Sequence, residues 1–159
     1  MFRPMILDNQ QLPEERCIEI LKNQKRGVLA MQGDDGYPYA VPLNHFYNEE
    51  DGKIYFHSSA YGHKVDAIKG DPKVCFTVYE GIGLDGEIPW ADNFQSVVIF
   101  GKVEVIEDRE TVYDIARKLS YRFVDDDGYI EEQIEKDGPI TFMFAICPEH
   151  MTGKQVREA

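Results

Sequence analysis

Short apolar and β-branched runs, with alternating faces in Lys53 to His57 and Ile140 to Cys147, are the pattern of strands, and a few stretches between them carry helical spacing. A first helix is signalled at Leu12-Pro13-Glu14-Glu15, where proline suits the first helical position and two acids complement the positive end of the helix dipole. Cys17, Ile18 and Leu21 give it one apolar stripe, which ends between Lys22 and Arg26, before Gly27. Gly27 to Met31 reads as a short apolar strand, followed by turn residues Asp34-Asp35-Gly36. Tyr37 to Tyr47 is extended, but Pro38 and Pro42 cannot donate to a ladder, so this strand is expected at an edge or interrupted. Past a turn at Glu49-Glu50-Asp51-Gly52, Lys53 to His57 forms the next strand. A short helix follows from Gly62 to Gly70, with Val65 and Ile68 inward and Asp71-Pro72 breaking it. Lys73 to Tyr79 is a β-branched and aromatic strand, and the glycine-rich Gly81 to Pro89 a loop. Phe94 to Ile106 is a long strand whose internal Gly101 predicts a bend or bulge. Asp108 is placed to cap a helix bearing Val112, Ile115, Ala116 and Leu119 on one face, which ends at Asp125-Asp126-Asp127-Gly128. Ile140 to Cys147 is the last clear strand, with Ile140, Phe142, Phe144 and Ile146 on one face, and Met151-Thr152-Gly153-Lys154 is a tail beyond it.

About six strands and three helices, without regular strand–helix alternation or internal repeats, predict an α+β fold: an antiparallel barrel with peripheral helices. The 159 residues form a single domain, and 43% hydrophobic and 12% aromatic content supports a core that needs no disulfide or metal. A net charge of -12 argues against nucleic acid and anionic membranes as partners, because both require a basic face. It leaves an anionic small ligand open, since a few local donors overcome a distant field. Cys17, Cys75 and Cys147 form no C-x-x-C pair and read as buried structural thiols. With no signal-peptide core at the start and no membrane-span-length apolar run, the expected location is the reducing cytoplasm.

Three segments could carry chemistry. In Tyr55-Phe56-His57-Ser58-Ser59-Ala60-Tyr61-Gly62-His63-Lys64 a strand delivers two hydroxyls, a glycine opens a helix, and a lysine sits in its first turn. Unpaired N–H groups at a helix start suit a phosphate, and Ser58, Ser59 and Lys64 would add hydroxyl donors and a positive charge. The same residues also fit an ordinary serine-capped helix. In Tyr37 to His45, the prolines free neighbouring backbone groups to meet the polar rim of a flat heterocycle, with Val41 and Leu43 over its face; an ordinary edge strand fits equally. Trp90, after the glycine-rich loop, could stack on a ring or anchor an interface, and Gln95 and Ser96 enter the strand behind it. His45, His57, His63 and His150 lack metal-ligand spacing, and neither a nucleophile elbow nor a phosphate-binding or dinucleotide-binding glycine fingerprint occurs.

The order of segments resembles the pyridoxamine 5'-phosphate oxidase-like flavoproteins, nearest the nitroimidazole-resistance branch. The resemblance rests on Gly27-Val28-Leu29-Ala30, Gly36 to Leu43, Ile54 to Ser58 with Gly62-His63-Lys64, Val74 to Val78, Ser96-Val97-Val98, Gly101 to Glu104 and Met151 to Lys154, and covers the chain from Leu12 onward. It implies a split β-barrel homodimer with FMN at the subunit interface. By that analogy the backbone of Val41, Pro42, Leu43 and Asn44 lines the isoalloxazine, and His57, Ser58, Ser59, His63 and Lys64 hold the phosphate. Trp90 or Ser96 then reaches across from the partner. The implied activity is FMN-dependent oxidoreduction of nitroaromatic or similar electron-poor small molecules, with a reduced nicotinamide as donor. Vitamin-B6 phosphate oxidation and a flavin-binding module without turnover are the alternatives. True pyridoxamine phosphate oxidases continue into an arginine- and tryptophan-bearing C-terminal region, whereas this sequence stops at Gln155-Val156-Arg157-Glu158-Ala159, which speaks against the B6 reaction.

Overall fold

The computed structural model describes residues 1–81 and 93–156. It contains eight strands, β1 (Gln11–Leu12), β2 (Arg26–Gln32), β3 (Pro38–Asn44), β4 (Phe46–Asn48), β5 (Lys53–Ser58), β6 (Lys73–Gly81), β7 (Phe94–Ile106) and β8 (Phe142–Val156). Four helices accompany them: α1 (Glu14–Asn23), α2 (His63–Gly70), α3 (Arg109–Ser120) and α4 (Asp127–Asp137). All pairings are antiparallel and run β3-β2-β6-β7-β8-β5-β4, with β1 added on β8. The two end strands of this path, β3 and β4, are separated in sequence by His45 alone. The sheet must therefore curl until its edges meet at that residue, which gives the antiparallel barrel expected from the residue pattern in the split form that the family resemblance implies.

Alternation decides what the barrel encloses. Leu29, Phe76 and Ile99 stand in register across β2, β6 and β7 and are fully buried, joined by Ile54, Phe56, Phe144 and Ile146. Phe56 stacks on Phe144 and meets Phe76 edge-on, both at 5.1 Å between centroids. A second cluster on the other side of β5 and β8 joins Tyr55, Met143 and Ala145 to Val112 and Ile115 of α3. With apolar cover on both faces, this part of the sheet loses the strict alternation seen elsewhere.

Several expectations hold in detail. β7 has the expected bounds, and a register shift between Phe100 and Gly101 is the bend announced by the glycine. A Cβ at Gly101 would lie 2.4 Å from the Cys147 carbonyl oxygen, so the close approach of β8 requires glycine there. Asp108 caps α3, accepting the Thr111 N–H at 3.1 Å.

Others are corrected. Among the described residues there are eight strands and four helices where about six and three were expected. His45 breaks the long extended segment into β3 and β4, because there the chain passes from one sheet edge to the other. Asp125 to Gly128 does not simply close α3: Asp126 accepts from the Tyr129 N–H at 3.0 Å and opens α4, whose only buried side chains are Ile130 and Ile134. Ile140 is 75% exposed in a 3-10 turn rather than on the core face of the last strand, and the supposed tail is the second half of β8. Of the cysteines, Cys17 is buried but Cys75 and Cys147 are only half-buried.

Candidate functional site

β5 ends at Ser58 and the chain turns through Gly62 into α2, whose first residue is His63. Gly62 has φ 121 and ψ 174, a conformation closed to L side chains at acceptable cost. Neither serine caps the helix. Ser58 Oγ donates to the Ser59 carbonyl at 2.8 Å and Ser59 Oγ to that of Tyr61 at 3.0 Å, while the N-cap position makes no side-chain hydrogen bond. The capped-helix alternative is thereby excluded, and the first N–H groups of α2 stay without a side-chain acceptor.

Lys64, in that first turn, is half-buried, and its ammonium has neither an ion-pair nor a hydrogen-bond partner among the described residues. Burial pulls its pKa below the usual lysine value. His57 alternates with Ser58 and so points to the opposite face of β5. It is exposed, yet stands at the rim of a cleft of about 170 Å³ with Leu119, Gln133, Asp137 and Thr141. Crowding by these walls lowers its pKa first, and the nearby Lys64 charge lowers it further. His63 turns to the hairpin between β2 and β3. Its ring stacks on Tyr39 at 4.0 Å and 26°, with Nε2 3.7 Å from Asp34 Oδ2.

β3 pairs with β2 alone among the described residues, so its outer edge is open, as the two prolines required. Val41 and Leu43 pack inward against the main core, Pro42 is exposed, and Asn44 Oδ1 accepts from Arg26 Nε at 3.0 Å. The edge thus presents backbone outward rather than the valine and leucine side chains expected over a ring. The structure sets His63 against Tyr39 near the start of β3, with Ser58, Ser59 and Lys64 beside it along the chain. Ser96 is not among them: it pairs with Lys154 and Ser58 with Phe142, at opposite ends of β8. Trp90 lies outside the described residues.

Sequence reasoning missed Arg122. Following α3, it donates to the carbonyls of Lys22 (2.9 Å) and Gln24 (2.6 Å) at the end of α1, and to that of His45 at the barrel joint. His45 is fully buried; its Nε2 lies 2.7 Å from the Leu21 carbonyl, and burial brings its pKa down to about 4. No sequence signal marks an arginine whose partners are three distant backbone carbonyls.

Residues 13–155 match the family model described as pyridoxamine 5'-phosphate oxidase. The chain belongs to that family. Among solved structures, it is similar to a candidate 5-nitroimidazole antibiotic resistance protein from Bacteroides thetaiotaomicron, at 22% identity and TM-score 0.77, covering 91% of this chain and 86% of that one. A conserved hypothetical protein from Mycobacterium tuberculosis aligns with TM-score 0.79 at 17% identity, over 95% and 90%. A FAD-binding protein from Mesorhizobium loti aligns with TM-score 0.65 at 23% identity, over 92% and 97%. At these identities the likeness establishes the fold. No curated protein matches. Among the described residues, no helix of this family member is long and apolar enough to cross a membrane.

Proposed function

We propose that this family member is a cytoplasmic FMN-binding oxidoreductase that reduces nitroaromatic or similar electron-poor small molecules with electrons from a reduced nicotinamide. The observation that carries the reading is the pairing of an uncapped α2 start with a half-buried Lys64 that has no partner in the described chain. A phosphate monoester fits this donor set: backbone N–H groups, one cation in the first helical turn, and two hydroxyls whose local hydrogen bonds can rotate away. Lys64 supplies charge against the overall negative field, and Ser58 and Ser59 fill the remaining phosphate oxygens. His63 stands at the margin of this cradle, whereas His57 faces the other side of β5. The open edge of β3, through the backbone of residues 41–44, orients a flat ring by hydrogen bonds. When bound, the flavin supplies the electron transfer, so the protein needs only to bind, orient and shield it. The nitroimidazole-resistance neighbour and the FAD-binding neighbour support this reading at the level of fold.

The working form in this reading is a homodimer. Val28 and Phe100 are 38% and 39% exposed and Tyr79 68% on the outer face of β2, β6 and β7, beside Pro42 and Val98. An apolar sheet face of this kind suits a two-fold partner, which would bring Ser96 toward the other protomer's cradle. Three free thiols suit a reducing compartment. The test is titration of flavin-free protein with FMN and riboflavin, followed by turnover of a nitroaromatic with reduced nicotinamide. Tight FMN binding, weaker riboflavin binding and turnover support the reading. A protein that quenches neither flavin overturns it, and one that binds FMN without turnover is a flavin carrier. Light scattering of the FMN complex at micromolar concentration should report a dimer; a monomer with bound flavin contradicts the shared site.

A further inference from the structure

We propose that Tyr39 is a positioning residue for the phosphate cradle: by stacking on His63 it holds the start of α2, and Asp34 steadies the same ring. The inference rests on the FMN-phosphate reading above and goes beyond it in assigning a role to the β2–β3 hairpin. α2 is short, and its buried side chains, Val65, Ala67 and Ile68, anchor the turns after the first. Its start has no cap, and a Cβ at Gly62 would meet nothing, so the entering loop makes no close packing there. What ties the first residue down is the ring of His63, 4.0 Å from Tyr39 and with Nε2 3.7 Å from Asp34 Oδ2.

The hairpin is built to stay in place. Gly33 N–H donates to the Tyr37 carbonyl at 2.8 Å and Tyr37 N–H to that of Asp34 at 3.0 Å. Asp35 and Gly36 follow each other in the left-handed region, at φ 56 and 78. At Gly33 a Cβ would lie 2.8 Å from the Tyr37 carbonyl oxygen and 3.0 Å from Tyr39 Cβ, so only glycine lets the two strands approach this closely under the stack. Tyr39 itself packs against the main core. A rigid, core-anchored ring therefore sits under the residue whose neighbours' N–H groups face the phosphate. Asp34 is largely exposed and its contact with the ring long, so it is the minor member.

The experiment measures dissociation constants of FMN and riboflavin for wild type, Tyr39→Ala, Tyr39→Phe and Lys64→Ala by flavin fluorescence. For Tyr39→Ala the expected result is FMN weakened about tenfold, the size of one charge-assisted hydrogen bond lost, with riboflavin within about twofold. Tyr39→Phe, which keeps the stacking ring, should restore wild-type FMN binding. Riboflavin binding serves as the folding control. Equal losses for both flavins would show that the stack serves only the fold and overturn the proposal, as would no loss for either. Should Lys64→Ala selectively weaken FMN while Tyr39→Ala does not, the positioning role falls and the phosphate site stands. Should wild type not prefer FMN over riboflavin, the phosphate site falls and the proposal with it.

Discussion

Arg122 and Lys64 are both half-buried cations, and burial pushes the pKa of each below its ordinary value. Their surroundings differ completely. Arg122 meets three backbone carbonyls, of Lys22, Gln24 and His45, and so ties the end of α1 to the joint where the barrel closes. Lys64 meets no acceptor in the described chain and stands beside helix N–H groups that also lack one. The desolvation is shared; the compensation is not. A cation whose compensation lies within the chain stabilises the fold, whereas one left uncompensated is a place where an anion gains affinity.

That contrast breaks most visibly at Arg122. Arg122→Ala should cost about 4 kcal/mol of stability, because three acceptors lose charge-assisted bonds at once. Urea denaturation at neutral pH reads it, and a loss below about 1 kcal/mol would mean that water replaces the guanidinium freely. Arg122→Lys should recover only part of the loss, since an ammonium cannot span carbonyls on two elements as the planar fork does.

The same clasp carries an acid sensitivity. His45 titrates near 6.5 when unfolded but at about 4 in the fold, so it stays neutral in the native state while the unfolded chain takes up a proton. Its contribution is therefore complete above about pH 6.5 and is lost as pH falls toward 4, amounting to about 3 kcal/mol. His57 shifts in the same direction, so the measurement is a difference: the pH dependence of stability in wild type minus that in His45→Gln. Parallel curves for the two proteins between pH 7 and 4 would remove His45 as the source.

Smaller effects belong to the cradle. Gly62→Ala meets no steric neighbour, yet its φ of 121 should cost about 2 kcal/mol in thermal or urea unfolding through backbone strain alone. An unchanged midpoint would show that the loop relaxes without penalty. Smallest of all, Lys64→Ala should change the stability of the flavin-free protein by less than about 0.5 kcal/mol, since no partner is lost. The same variant should weaken FMN much more than riboflavin. Substantial destabilisation without flavin would reveal an internal partner for Lys64 and undo the comparison with Arg122.

Much of this was legible in the residue pattern because it follows from local rules. Apolar and β-branched runs marked β2, β6 and β7 as strands, two prolines marked β3 as an edge or interrupted strand, Gly101 marked the bulge, and Asp108 the cap of α3. Ser58 to Lys64 also stood out as a strand-to-helix turn with donors. α4 was missed because its acidic sequence offers only Ile130 and Ile134 to a core. The second half of β8 was missed because Pro148, Glu149 and Gly153 read as chain-end residues, and only pairing with β7 and β1 makes the segment a strand. Whether the serines capped α2 could not be read from spacing: hydroxyl direction depends on how the loop turns at Gly62. Tertiary structure alone decided that His63 leans on Tyr39 and that Arg122 ties the end of α1 to the barrel joint. Short-range order follows from periodicity and backbone chemistry within a few residues, so the sequence determined it. The partners of a side chain are selected by which distant backbone the closed sheet brings near, and that exists only once the chain has folded.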